Sequence, residues 1–362
     1  MGGRRTNRRM MLDCHPDPAL RRKIPSASEK QKDETLIKYL IRRTLGWLLM
    51  IAVATNITYF LAWGFLNPRN NYVGRRPPLS DEQIVNLLEP RNLSDTVPIW
   101  ERWWNWITGI VLRWDWGVSP TGGSVNEQVA YRMWVSAELV LGATIIMTIL
   151  GIALGVYTAS RQYKLADRIG QATSIITMNV NIIVAALGIV LLAIAFNDLV
   201  GVRVFYVTGS SSQGVEGFFP VLLDTLQHLT LPTIGLVIVG YAGTHFLQRS
   251  LLLDNINADY VRTARAKGLT KPQAIRKHAL RTSLIPVATQ VAFSIPAVFT
   301  GAILTETIFA WNGMGKYFIE TIVKSDIHGV VATAAFAGLL TALGAILSDV
   351  VVVVLDPRVR VN

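Results

Sequence analysis

Between two long apolar runs, residues 259–286 read DYVRTARAKGLTKPQAIRKHALRTSLIP, a basic segment carrying the punctuation of two helices. Tyr260, Val261, Ala264 and Gly268 recur at three- and four-residue spacing, which predicts one face turned inward and leaves Arg262, Arg265 and Lys267 for water or another surface. Asn257 supplies an expected N-cap, and Gly268 an expected stop. Thr270 with Gln273 three residues on has capping-box spacing, and Pro272 suits the first turn of a second helix running toward Leu284. A loop that only oriented the chain by its charge would need the arginines and lysines, but neither the caps nor the glycine. Structure in such a loop implies something that docks on it.

The flanking runs set the class. With 51% hydrophobic and 16% charged residues among 362, and a positive mean hydropathy, the chain is too apolar for an ordinary soluble domain. About 20 apolar residues span a bilayer core. Six stretches qualify, near 45–66, 136–158, 172–196, 229–252, 284–305 and 330–353. The expected fold is therefore an all-α membrane protein with six transmembrane helices and an outer-face insert between helices 1 and 2. Of 35 Lys and Arg residues, 25 fall on the side carrying 1–44, 159–171, 249–283 and 354–362, and 10 on the other. Both termini and the 257–283 loop are thus expected in the cytoplasm. The net charge of +11 follows from this topology and from a basic tail suited to anionic membrane lipid, so no nucleic-acid partner is expected.

The organisation expected along the chain is a basic N-terminal extension over 1–44, the first span over 45–66, and a Trp-rich extracytoplasmic insert over 67–135. A five-helix core over 136–353 and a tail over 354–362 follow. Part of the extension, from about Asp33 to Arg43, is expected to lie along the membrane surface as a helix. In the insert, IWERWWNWITGIVLRW (99–114) places Trp100, Trp103, Trp104, Ile107, Ile110, Val111 and Trp114 near helical spacing. Indole rings favour the headgroup boundary, so either an interfacial helix or packing against the protein's own spans accounts for them. Gly151 and Gly155 form a GxxxG face, with Gly142 at a compatible distance. Among polar residues placed in spans, Asn179, Asn181 and Gln290 are the candidates for lining a pathway; His245, Gln248 and Asp349 have the alternative of interhelical hydrogen bonds.

ADYVRTARAKGLT (258–270) followed by RKHALRTSLIPV (276–287) resembles the ATPase-coupling loop of the dipeptide and oligopeptide family of ABC-importer permeases. LTETIFAWNGMGKYF (304–318), LDPRVRV (355–361) and WDWGVS (114–119) resemble further motifs of that family, so the likeness covers about 110–361. In the general EAA-x3-G pattern, Arg262, Thr263 and Ala264 occupy the first three places and Gly268 the last. The RTARAKG form is the one usual in the peptide subgroup. Asn179-Val180-Asn181 departs from the family's Ser-Ile-Pro-like stretch.

The resemblance implies the type I importer fold, with Asp259, Tyr260, Arg262, Thr263, Ala264, Arg265, Gly268 and Leu269 forming the coupling loop. It also implies two ATPase subunits, a second permease subunit completing the pathway, and an extracytoplasmic substrate-binding protein. The expected setting is a bacterial or archaeal plasma membrane, and the leading cargo is a di- or oligopeptide. Nickel and oligosaccharide importers share these loop motifs. An ion-coupled carrier or an intramembrane enzyme are the readings from other classes.

No catalytic motif supports the enzyme reading. There is no GxxxxGK[ST] loop: Gly313-Met314-Gly315-Lys316 has Ala310 at the required first glycine and Tyr317 after the lysine. Five dispersed histidines and the single Cys14 offer neither metal spacing nor a disulfide. No cofactor is expected in this chain, and ATP and Mg belong to the expected partner ATPases.

Overall fold

A computed structural model describes residues 27–212 and 214–355. Most of the basic extension, and all but the first residue of LDPRVRV, lie outside the described residues. The described chain is helical, and its centre is a pair of long helices, α4 (Val125–Ser160) and α7 (Phe218–Ile256). Their contact is the most extensive in the molecule, and two glycines of α4 permit it. A Cβ on Gly151 would fall 2.7 Å from Thr244 Cβ, and one on Gly155 2.8 Å from Gln248 Cβ. Gly142, grouped with them by spacing, faces open space.

Around this pair lie α5 (Leu165–Asn179), α6 (Ile182–Val200) and α10 (Leu280–Ile308). Then α12 (Ile327–Leu355) packs on α10, and α1 (Ala27–Phe65) packs on α12. Five described helical stretches are long and apolar enough to cross a membrane: Ile41–Phe65, Val125–Ser160, Ile182–Val200, Phe218–Ile256 and Ile327–Val350. At 29 residues, α10 is a sixth long helix.

One sequence expectation is corrected here. The third span, expected over 172–196, is two helices with Val180 and Asn181 extended between them. The Asn181 side chain accepts from Ile183 N at 2.9 Å and caps α6. An asparagine within an apolar run was a helix start, because its carbonyl takes up a backbone donor that the broken helix leaves orphaned. The stretch 33–43 is helical as expected, and it is continuous with the first span, since α1 runs unbroken from Ala27 to Phe65.

The insert folds onto the C-terminal end of α1 and the N-terminal end of α12. It holds a 3₁₀ turn (Pro68–Asn71), α2 (Asp81–Leu88) and α3 (Ile99–Arg113). The tryptophan helix packs one face on its own protein. Trp106 stacks on Tyr59 of α1 at 4.6 Å, and the Trp103 indole donates to Asn56 Oδ1 at 2.7 Å. Trp100 and Trp104 stay exposed at the edge of that contact, Trp100 with its ring 5.5 Å from Phe60 of α1.

The TETIFAWNGMG motif turns out to be a clasp. It joins the end of α10 to α11 (Met314–Val323). Buried Glu306 accepts from Lys316 N at 3.0 Å and from Ser136 Oγ of α4 at 2.5 Å. Ser136 Oγ also accepts from Met314 N at 2.7 Å. The orphan donors opening α11 are thereby satisfied inside the protein. The Trp311 indole donates to Val135 O at 2.8 Å, and its ring fills a core shared with Leu139, Ala302 and Phe336.

Candidate functional site

The loop between α7 and α10 is built as a short helix, a turn and a ramp. Helix α8 (Asp259–Ala266) buries Val261 and Ala264 against Leu252, Ala274, Ile275 and Ala279. That contact presents Asp259, Tyr260, Arg262, Thr263 and Arg265 outward, all exposed. Asn257, the expected cap, closes α7 instead, and Ala258 occupies the α8 N-cap position without a side-chain bond.

The C-terminus of α8 is a Schellman motif. Gly268 N donates to Arg265 O at 3.0 Å and Leu269 N to Ala264 O at 3.3 Å. Gly268 has φ +93° and no atom near its absent Cβ, so glycine is required by backbone conformation and not by space. Leu269 completes the motif by packing on the same cluster as Ala264. Of the eight residues read as the coupling loop, Ala264 is buried and Leu269 half-buried, and the other six are exposed.

After the turn, Thr270 N donates to Gln273 Oε1 at 3.0 Å, opening α9 (Lys271–Ala274). The second loop helix does not stop near Leu284. A π-helical turn over Ile275–Ala279 carries it directly into α10. Any displacement of α9 is thus delivered to α10 through continuous backbone. A cavity of about 430 Å³ lies beside this ramp, with Val156 and Ser160 of α4 on one wall and Pro272, Ile275 and Leu280 on the other.

Beneath the loop sits a polar lattice that sequence spacing did not reveal. Asp167 of α5 receives Arg249 Nε at 2.8 Å and Nη2 at 2.9 Å, a two-pronged pair closing α5 onto α7. The Arg249 guanidinium holds the Asp167 carboxyl below the usual range despite its burial. Tyr163 N and the Gln171 amide donate to the same carboxylate. His245, fully buried, lies 3.0 Å from Thr158 Oγ1 of α4 and 2.7 Å from Ser174 Oγ of α5. Gln248 donates to Ser283 of α10 at 2.9 Å. These bonds give His245 and Gln248 the interhelical role left open by the sequence. Charges at 167 and 249 read only as topology, because nothing local pairs residues 82 apart.

The pathway candidates sit apart from this lattice. Asn179, exposed at the end of α5, bonds back to Ile175 O at 2.7 Å. Asn181 is the α6 cap, and Gln290 is an exposed residue of α10. Asp349 of α12 pairs with Arg43 of α1. Among the described residues no group of three His, Cys, Asp or Glu could hold a metal ion.

Comparison with known proteins gives this architecture a family. Residues 151–361 match the model of the binding-protein-dependent transport system inner membrane component family. The oligopeptide transport system permease protein OppB of Mycobacterium tuberculosis is 38% identical over 330 residues, covering 90% of this chain and all of that protein. AppB, an oligopeptide transport system permease protein of Bacillus subtilis, is 29% identical over 89% of this chain and 99% of its own length. DppB, the dipeptide transport system permease protein of Escherichia coli, is 29% identical over 90% of this chain and 99% of its own. The MetNI methionine ABC transporter, in an inward-facing crystal form, aligns with a TM-score of 0.48 at 14% identity, covering 63% of this chain and 96% of that one. With the family model matched over more than half its length and a relative matched end to end, the chain belongs to the binding-protein-dependent transport system inner membrane component family.

Proposed function

We propose that this chain is a permease subunit of an ATP-driven peptide importer, forming half of a translocation pathway and receiving mechanical work at the α7–α10 loop. The observation carrying this reading is the loop itself. Its buried side is fixed to the helix bundle by Val261 and Ala264, its exposed side offers Tyr260, Arg262 and Arg265, and its exit is a helix continuous with α10. A rigid element can transmit the movement of a docked protein to a span, whereas a loose one absorbs it. The partners are two ATPases that bind ATP and Mg, a second permease, and an extracytoplasmic binding protein. Peptide as cargo rests on the names of the relatives. Both termini lie in the cytoplasm of a prokaryotic cell, and Asn179, Asn181 and Gln290 face the pathway, where the break between α5 and α6 exposes polar groups.

The test joins association to coupling. Purified from native membranes in mild detergent, the chain brings a second permease and ATPase polypeptides identifiable by mass spectrometry. In the reconstituted assembly, Gly268→Val strains the positive-φ turn without a clash, leaving insertion intact while hydrolysis proceeds without uptake. Recovery of a folded chain alone, or unchanged uptake and hydrolysis in the variant, would overturn the reading.

A further inference from the structure

On the expected outer face, where the first span ends, the protein forms a half-open cavity of about 280 Å³. Trp63 through Arg69 form one side of it, and Leu93, Asp95, Arg102 and Ile327 the other. Its chemistry is unbalanced. Arg102 of α3 is only 4% exposed, and its buried Nε has no hydrogen-bond partner. Burial pushes the Arg102 guanidinium down from its usual range. The carboxylate in the cavity, Asp95, is held by Arg69 at 2.7 Å. Arg69 nonetheless keeps its own buried Nε unpartnered. Arg69 also reaches Asp81 at 3.4 Å. Each guanidinium group lining the cavity thus keeps one unpartnered nitrogen, and that of Arg102 makes no salt bridge among the described residues.

An unmade hydrogen bond on a buried charged donor costs more than an ordinary lost bond. The Asp95 carboxylate is the local charge that favours a cation at Arg102. It accounts for the charge but brings no acceptor to either Nε. The Trp63 ring lies 5.9 Å from the Arg102 guanidinium, a contact that favours charge without satisfying a donor. What both nitrogens lack is a group with several acceptor oxygens and negative charge. Phosphate matches two guanidinium forks better than a single-point anion does.

We propose that this cavity binds a phosphate group, seated between Arg102 and Arg69 at the outer membrane surface. Its position favours a phospholipid headgroup as the source, because the wall-forming Trp63 and Phe65 close the first span and are 43% and 86% exposed. Free phosphate offers the same chemistry, and the experiment separates the two. A bound headgroup would pin the Trp-rich insert to the bilayer at a defined depth, a task distinct from moving cargo.

The test is the thermal unfolding midpoint of the full chain in a non-ionic detergent at fixed ionic strength. Phosphatidylglycerol, inorganic phosphate and a phosphate-free glycolipid of the same acyl chains are added separately. Ligand about tenfold above its Kd should raise the midpoint by roughly 2–4 °C. A rise with phosphatidylglycerol alone identifies the headgroup, and a rise with inorganic phosphate as well identifies a site open to the soluble ion; both support the proposal. The rise should vanish in Arg102→Met, which keeps the side chain's bulk, and shrink in Arg69→Gln, which serves if the first variant fails to fold. An equal rise with the glycolipid, an equal rise in wild type and Arg69→Gln, or no rise with either phosphate source would overturn it.

Discussion

Asp326 stands at the start of α12, 2% exposed, with Oδ1 accepting from Gly329 N at 2.9 Å. Burial raises its carboxyl to about 6. The folded state therefore holds the proton more tightly than the unfolded chain, whose carboxyl titrates near 3.9. The stabilisation is complete below about pH 4 and lost as pH rises through 6, a span on the order of 2–3 kcal/mol. Arg132, Glu320, Lys324 and Tyr317 line a cavity of about 180 Å³ together with Asp326, so the effect is read against a variant and not from wild type alone. The expected result is thus a difference: between pH 4 and 6.5 wild type loses stability relative to Asp326→Asn, which keeps the Gly329 acceptor but not the titration. Parallel melting profiles for the two proteins would refute it. No spacing in the sequence announces Asp326 or Arg102, since burial of a single charge is decided by elements distant along the chain.

Among the elements, α4 and α7 depend on each other through absent side chains. Replacing Gly155 with Val would drive a methyl group into Gln248 and the His245 carbonyl, which a Cβ already meets at 2.8 and 3.0 Å. Overpacking at a helix contact costs roughly 1–3 kcal/mol. Gly142→Val, in open space, serves as the control. The expected outcome is a lower unfolding midpoint for the first variant and an unchanged one for the second. Equal midpoints would mean that the helices tolerate separation. The GxxxG spacing, the Gly268 stop, the Thr270–Gln273 box and the tryptophan helix were legible because each is a local signal, set by residues within one or two turns. The α5–α6 break was misread because hydropathy averaged over a window hides one capping asparagine. The π-helical turn at 275–279 carries no compositional mark, and its form follows from Ile275 and Ala279 being drawn into the α8 contact. The Gly268 turn and the exposed arginines of α8 were legible, while the Asp167–Arg249 pair beneath them joins separate helices and was not.

For the whole molecule, orientation is the property most open to direct measurement. A reporter fused at Ser211 should behave as extracytoplasmic and one at Lys271 as cytoplasmic, since the 25 to 10 division of basic residues favours that arrangement. The reverse pattern would invert every assignment of partners to faces. One contact described above carries a further meaning. Arg43 in the first apolar helix is paired with Asp349 in the last, and α1 leans chiefly on α12. A chain made from its N-terminus must therefore hold α1 in waiting until α12 has been synthesised. A prematurely ended product would leave that segment's mating surface bare, giving the cell's surveillance machinery a simple mark by which to tell finished molecules from unfinished ones.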